Sequence, residues 1–245
     1  MKNQYFGDIN DYRKYGLLRG LTGGLGVLGV SGLSGLSLMV AWMLTPDDGR
    51  SDGRFTTYLD KPEQWSTFDP ELYEQLRRWI KDGRPRHVAH IEGSDLLPNA
   101  AFFSEIVPDD AGGRGRWTDR LLEASRGHDL VFLDPDNGLE VKSKPYGARD
   151  SSKYVYRREI VRLFEAGHSL LIYQHFPRVT RDVFVTDTAG MLMDELGINR
   201  ITTFRTSNVL FVLAAQPQHR DVFETASRSV ADSWAGQIGV HQLRT

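Results

Sequence analysis

The stretch DLVFLDPDNGLE, residues 129 to 140, passes from an uninterrupted apolar run into two acids, a proline, an asparagine and a glycine. Asp134, Asp136 and Asn137 together can accept hydrogen bonds from an amine, orient a nucleophile or help ligate a hard divalent cation. Leu130 to Leu133 show no polar alternation, which suits a strand covered on both faces in a parallel sheet. In open α/β sheets ligands bind beyond the carboxyl ends of such strands, so the polar tail reads as a site. The same residue types also make plain turns, which is the competing reading.

Other groups fall at equivalent places. Thr45, Asp47, Asp48 and Asp52 follow a candidate strand at Ser37 to Leu44, and with Asp134 and Asp136 these acids could gather Mg²⁺ or Mn²⁺. Glu140-Val141-Lys142 has the Glu-x-Lys pattern of restriction nucleases, although those sites draw a further acid from well upstream. His175, in YQHF, stands just beyond another candidate strand. It could meet a phosphate or act as a base, or simply be satisfied by the backbone.

These groups need a scaffold that brings strand ends together. Asp8 or Asn10 can cap a helix through Leu18, and Asp69 with Pro70 opens a helix ending near Gly83. HVAHIE, residues 87 to 92, reads as a short strand, and Phe102 to Ile106 as another. RWTDRLLEASRG is helical, Ser151 or Ser152 caps a helix ending at Gly167, and SLLIYQHF is a buried strand. Alternating strands and helices imply a parallel sheet. After a helix from about Thr180 to Leu196, two strand-like runs are separated only by residues around Thr206 to Asn208. That gap is too short for a parallel crossover and requires an antiparallel hairpin. The fold class is therefore α/β: a Rossmann-like, mostly parallel sheet with helices on both faces and a carboxyl-terminal antiparallel hairpin, in one domain over residues 1 to 245. Trp42, Trp79 and Trp117 fall in apolar patterns and belong to the core.

The chain of 245 residues carries a net charge of -2, which argues against indiscriminate polyanion binding. The basic stretches RRWIKDGRPRH and YRREIVR could bind phosphates or be solvated helix faces. With no cysteine, thiolate chemistry is excluded and a reducing cytoplasm is the expected compartment. Residues 20 to 46 carry no charge, but their many glycines weaken a helix by about 1 kcal/mol each. A Gly/Ser-rich loop at about 22 to 35, with no membrane segment, is the reading adopted. No protein partner is indicated.

Asp134-Pro135 after an apolar run resembles the Asp/Asn-Pro-Pro-aromatic motif of class I methyltransferases that act on exocyclic amines, and the terminal hairpin has its counterpart in them. GDINDYRKY, residues 7 to 15, resembles the GNxADxLKH opening of the large-subunit ribosomal RNA adenine-N6 methyltransferases of the RlmJ type, matching at Gly7, Asp11 and Lys14. The resemblance implies S-adenosylmethionine as cofactor and an amino group of an RNA or DNA base as substrate. Asp134 and Asn137 would be catalytic. Lys14, Tyr15, Thr45 and Glu92 would border the cofactor, while Tyr5, Asp136 and His175 would meet the substrate. Two features depart from the family. The glycine-rich turn after the first strand is reduced to Thr45, Asp47, Asp48 and Gly49, and Asp136-Asn137 replaces proline and the aromatic ring that stacks on a flipped base. Tyr146, Tyr154 or Tyr156 is expected to supply that ring. The alternatives are a Mg²⁺-dependent nuclease or phosphodiesterase on the same sheet, and a noncatalytic nucleotide-binding module.

Overall fold

The computed structural model describes residues 1–23, 36–49 and 53–244. Its elements in order are α1 (Ile9–Thr22), β1 (Leu38–Ala41), α2 (Pro62–Trp65), α3 (Pro70–Lys81), α4 (Ala89–Glu92), β2 (Ala100–Phe103), α5 (Ala111–Ala124), β3 (Leu130–Leu133), β4 (Gly138–Leu139) and β5 (Tyr154–Val155). Then come α6 (Arg157–Glu165), β6 (Ser169–His175), α7 (Arg181–Leu196), β7 (Arg200–Arg205), β8 (Val209–Ala214), α8 (Arg220–Ser233) and β9 (Gly239–Arg244).

The central sheet has the order β2-β1-β3-β6-β8-β7-β9. Strands β2, β1, β3 and β6 run parallel, with Ala41, Phe103 and Leu133 in register. From β6 onward every pairing is antiparallel, and β7 and β8 form the expected hairpin. Side-chain alternation divides the apolar residues between two layers. Leu38, Val40, Phe132 and Phe211 face α1, α3 and α8, while Met39, Ala41, Val131 and Val212 face α5, α6 and α7. All four residues of β1 and of β3 are buried, which is why neither shows a polar alternation. Trp42, Trp79 and Trp117 are in the core as expected.

Helix α1 begins where the Asp8 carboxylate accepts from the Asn10 and Asp11 N–H groups at 2.8 and 3.1 Å. It runs past the expected end at Leu18 to Thr22, stopping at Gly23 with φ 87°. Every residue from Asp11 to Thr22 is buried, so tertiary packing outweighs the low helical propensity of its glycines. Arg19 fastens α1 to α3 through Asp69 at 2.7 Å and Glu71 at 2.6 Å. Asp69 also caps α3, accepting from the Leu72 N–H at 3.1 Å.

Several expected boundaries are corrected. Residues 87 to 92 are not a strand: Val88 and Ile91, three positions apart, are both buried, and their segment forms the helical turn α4 after the Val88 N–H is held by Asn3 Oδ1 at 3.1 Å. Strand β2 starts earlier than Phe102 and ends at Phe103, and Ile106 pairs with Leu44 in an isolated bridge outside it. Helix α5 starts before Arg116 because Asp110 caps it through the Gly113 N–H at 2.7 Å, although Gly112, Gly113 and Gly115 weaken the helical signal. Ser151 and Ser152 do not cap α6. The Asp109 carboxylate holds the Asp150 and Ser152 N–H groups, and Tyr154–Val155 then pairs in parallel with Gly138–Leu139. Helix α6 follows Tyr156, whose N–H donates to Glu159 at 3.0 Å. The Gly/Ser-rich connection expected at 22 to 35 begins with the end of α1 at Thr22 and its cap Gly23, and its remainder lies outside the described residues. No helix among the described residues is long and apolar enough to cross a membrane.

Helix α1 packs against Trp234, just beyond α8, so closely that a Cβ on Gly16 would lie 1.9 Å from the indole Cζ2. Alanine normally stabilises a helix interior by about 1 kcal/mol relative to glycine. Here overpacking, typically costing about 1–3 kcal/mol, should prevail. We expect Gly16→Ala to lower the urea midpoint, and an unchanged or raised midpoint would show that Trp234 yields freely.

Candidate functional site

The carboxyl ends of β1, β3 and β6 meet at one edge of the sheet. There α1 and the amino-terminal residues enclose a cavity of about 370 Å³, lined by Asp8, Asp11, Lys14, Asp134, Asn137 and Tyr173 among others. Its centrepiece is the buried Lys14 ammonium. Nζ donates to Asp11 Oδ1 at 2.8 Å and to Asp134 Oδ2 at 2.7 Å. Asp11 also accepts from the Gly7 N–H at 2.9 Å and from Tyr15 Oη at 3.3 Å. Gly7, Asp11 and Lys14, the positions matching the RlmJ-type opening, thus form one hydrogen-bonded unit. Gly7 has φ 79°, and a Cβ there would meet Ile80 at 2.6 Å.

Burial opposes the charge on Lys14, but Asp11 and Asp134 outweigh it and hold the ammonium above its ordinary range. Burial pushes the Asp134 carboxyl upward, opposed by Lys14 and by the Met1 amino group. The arrangement is a lysine ammonium shared by two acids, one oxygen of Asp134 taken by Lys14. Oδ1 receives no hydrogen bond from the described residues. Asp136 behaves differently: burial would raise it, but the Met1 amino group at 2.7 Å and the Thr45 hydroxyl at 2.6 Å hold it below the usual carboxylate range.

The turn after β3 is shaped by Gln174 of β6. Gln174 Oε1 accepts from the Leu139 N–H at 2.7 Å, and a Cβ on Gly138, whose φ is 122°, would lie 2.3 Å from the same oxygen. Glycine in DPDNG is therefore required by both backbone conformation and contact. Asn137 is fixed through its backbone, its N–H donating to the Lys153 carbonyl and its carbonyl accepting from the His175 N–H. Its side chain lines the cavity without a hydrogen bond from the described residues.

Of the residues singled out from sequence, Tyr5, Lys14, Asp134, Asp136, Asn137 and His175 line this one cavity. Thr45 stands behind Asp136. Tyr15 is fully buried and supports Asp11 rather than lining the cavity. Glu92 ends the short helix α4, not a strand, and accepts from Trp42 Nε1 at 2.7 Å and from the Ser104 hydroxyl. It is not part of the cavity wall. The rings available are Tyr5, Phe55 and Tyr173, whereas Tyr146 and Tyr156 stack edgewise on each other at 5.1 Å away from it. Asp8, Tyr173 and Phe55 are cavity residues that the sequence reading missed as functional. Asp8 was legible only as a helix cap, and Tyr173 sits inside an apolar strand run.

The acids expected to gather a cation are largely engaged by cations of the chain: Asp134 by Lys14, Asp136 by Met1 and Asp48 by Lys2 at 2.6 Å. Asp52 lies outside the described residues. Among the described residues no group of three acidic or histidine side chains converges as a ligand set. Glu140 is paired with Arg157 at 2.7 Å. Two other features also resemble sites. A hollow of about 410 Å³ between α5 and α6 is lined by Arg126 and Arg162, but both are already bound to acids, Glu123 and Asp119. Ser169, His219 and Asp129 stand in line at 2.9 and 3.4 Å, yet Ser169 is wholly buried and accepts from the Gln216 N–H at 3.0 Å. It knits β6 to the segment after β8 and offers no accessible nucleophile.

No protein-family model matches the chain, and no curated protein matches it either.

Burial, and after it the charge of Asp11, pushes the Asp8 carboxyl up to about 7, against the two N–H groups it caps and the Lys14 charge. A carboxyl raised in the folded state binds its proton more tightly there than in the unfolded chain. Its contribution is therefore present at low pH and lost as pH rises from about 4 to about 7. Asp8→Asn preserves a capping oxygen and removes this titration. The stability of wild type relative to Asp8→Asn, from urea unfolding, should fall across that window; parallel profiles would contradict it.

Proposed function

We propose that the protein is an S-adenosylmethionine-dependent methyltransferase acting on an amino group of a nucleic-acid base. The observation that carries this reading is Asp134: a buried carboxylate at the end of a central parallel strand, lining the cavity, held on one oxygen by Lys14 and with no hydrogen bond to the other from the described residues. The sheet, parallel and then finished by an antiparallel hairpin, supports it as the arrangement of class I methyltransferases, though fold alone does not fix chemistry. With no membrane-spanning helix among the described residues, a cytoplasmic setting fits the proposal.

An exocyclic amine is a weak nucleophile because its lone pair is delocalised into the base. Donating one N–H to Asp134 Oδ1 would orient the nitrogen and draw away its proton as the new carbon–nitrogen bond forms. The upward-shifted carboxyl is a better proton acceptor than an ordinary aspartate. Lys14 is a positioning residue, since it holds Asp134 Oδ2 in place. The unengaged Asn137 amide can receive a second hydrogen from the amine, and Tyr173 offers a ring beside it. A cavity of about 370 Å³ is within the range of small-molecule sites. S-adenosylmethionine would supply an activated methyl on a positively charged sulfur. Glu92, the ribose acid implied by the resemblance, lies outside the cavity wall and is held by Trp42.

The rival reading, metal-dependent strand cleavage, makes an opposite forecast for one substitution. Asp134→Asn keeps a hydrogen-bonding oxygen but removes the charge that accepts the proton. We expect cofactor affinity by calorimetry to survive while methyl transfer from tritiated donor to RNA or DNA falls by about 100-fold or more. Wild type that transfers no methyl group, binds no S-adenosylmethionine and nicks nucleic acid in an EDTA-sensitive manner would replace the proposal with the hydrolase.

A further inference from the structure

A second hollow, of about 300 Å³, adjoins the first on the far side of Phe55. Ile9, Arg13, Lys61, Trp65 and Asn208 line it, and Phe55 belongs to both cavities. Phe55 is 65% exposed, and its ring stands where the two cavities share a wall. Its backbone is nevertheless fixed, the carbonyl accepting from the Ile9 N–H at 3.0 Å.

The decisive group is Arg13. Three arginines in the described residues are buried: Arg13, Arg19 and Arg114. Arg19 is bound by Asp69 and Glu71, and Arg114 by Glu159 at 2.7 Å. Arg13 has no carboxylate within ion-pair distance among the described residues. Its Nη2 donates to Gln237 Oε1 at 2.7 Å, its guanidinium lies 5.5 Å over the Trp65 ring, and its buried Nε has no hydrogen-bond partner. Arginine keeps its proton in proteins, and a buried charge without a partner is costly. Burial works against this guanidinium and the nearby Asp8 only partly offsets it. Lys61, exposed at the rim, adds a second cation to the same hollow.

We propose that this hollow is an anion site that seats a backbone phosphate of single-stranded nucleic acid, with Phe55 stacking between the base in the Asp134 cavity and its neighbour. The occupant rests on the nucleobase reading above; the anion site itself rests on Arg13. A planar guanidinium matches phosphate oxygens, Lys61 supplies a point charge, and an exposed ring between two cavities gives consecutive bases a stacking surface irrespective of sequence.

The test is fluorescence anisotropy with labelled single-stranded RNA and DNA of roughly ten nucleotides, titrated at several salt concentrations, for wild type, Arg13→Gln, Lys61→Gln and Phe55→Ala. Arg13→Gln should weaken binding roughly tenfold, as for loss of a hydrogen bond to a charged group. Both cation variants should reduce the slope of log Kd against log salt by about 0.7. Phe55→Ala should weaken binding without changing that slope. Lys61 is exposed, so its variant decides the matter if Arg13→Gln fails to fold. A folded Arg13→Gln, or failing it Lys61→Gln, that binds strands as wild type does, with the same slope, overturns the proposal. Strand binding that depends on Arg13 in a protein that transfers no methyl group would uphold this site while removing the methyl-transfer reading. If wild type binds no strand but inorganic phosphate raises its Tm and not that of Arg13→Gln, nucleic acid is overturned as the occupant and only a free-anion site remains. No response to either probe overturns both site and occupant.

Discussion

The Lys14 ammonium between Asp11 and Asp134 is the interaction on which the carboxyl edge depends. It joins α1 to the end of β3 across a separation of 120 residues. Removing either carboxylate would leave a buried cation half-satisfied, and removing Lys14 would set two buried acids against each other. Breaking a buried pair in this way commonly costs about 3–5 kcal/mol, well beyond a surface ion pair. The geometry of the cavity is thus tied to the stability of the layer that covers the sheet.

Around that contact the protein follows one electrostatic scheme. Among the described residues, two of the three buried arginines bring acidic partners with them: Arg19 with Asp69 and Arg114 with Glu159. Asp136 is set among donors that hold it below the usual carboxylate range, whereas Asp8 is driven upward by burial and then by Asp11. Two carboxyls of one cavity are therefore pushed in opposite directions by their surroundings. Such divergence is the usual way a protein equips a single site with both a fixed charge and a titratable group. Arg13 is the exception to the pairing pattern among the buried arginines.

Much of this was readable before the fold was known, for identifiable reasons. Leu130 to Leu133 marked a doubly covered strand because nothing polar interrupts it, and Asp134 followed as a strand-end acid. The β7–β8 hairpin was forced by the short gap at Thr206 to Asn208. Residues 87 to 92 misled because a single helical turn and a short strand carry almost the same apolar content, and Glu92 was misplaced with them. The capping of α6 went to Tyr156 because a two-residue ribbon between Gly138–Leu139 and Tyr154–Val155 claimed the preceding segment, a tertiary contact without a local signal. Tyr15, expected to border the cofactor, stands behind Asp11 and not in the cavity wall. Phe55 and Arg13 have no signature at all in one dimension, since exposure of a ring and isolation of a charge exist only after packing.

The packing of α1 against Trp234 bears on the order in which the chain can assemble. The surfaces that bury α1 come from α3, from the end of β3 and from α8 with the segment after it, as far along the chain as Gln237, 224 positions from its partner Arg13. Contacts so distant in sequence carry a large loop-closure cost and form late. Strands β1, β2 and β3 lie nearer to one another in sequence than α1 lies to α8, so on contact order the pocket closes after they pair. A ligand that enters the pocket would therefore add its binding energy to contacts that form late, with Lys14 between Asp11 and Asp134 at their centre.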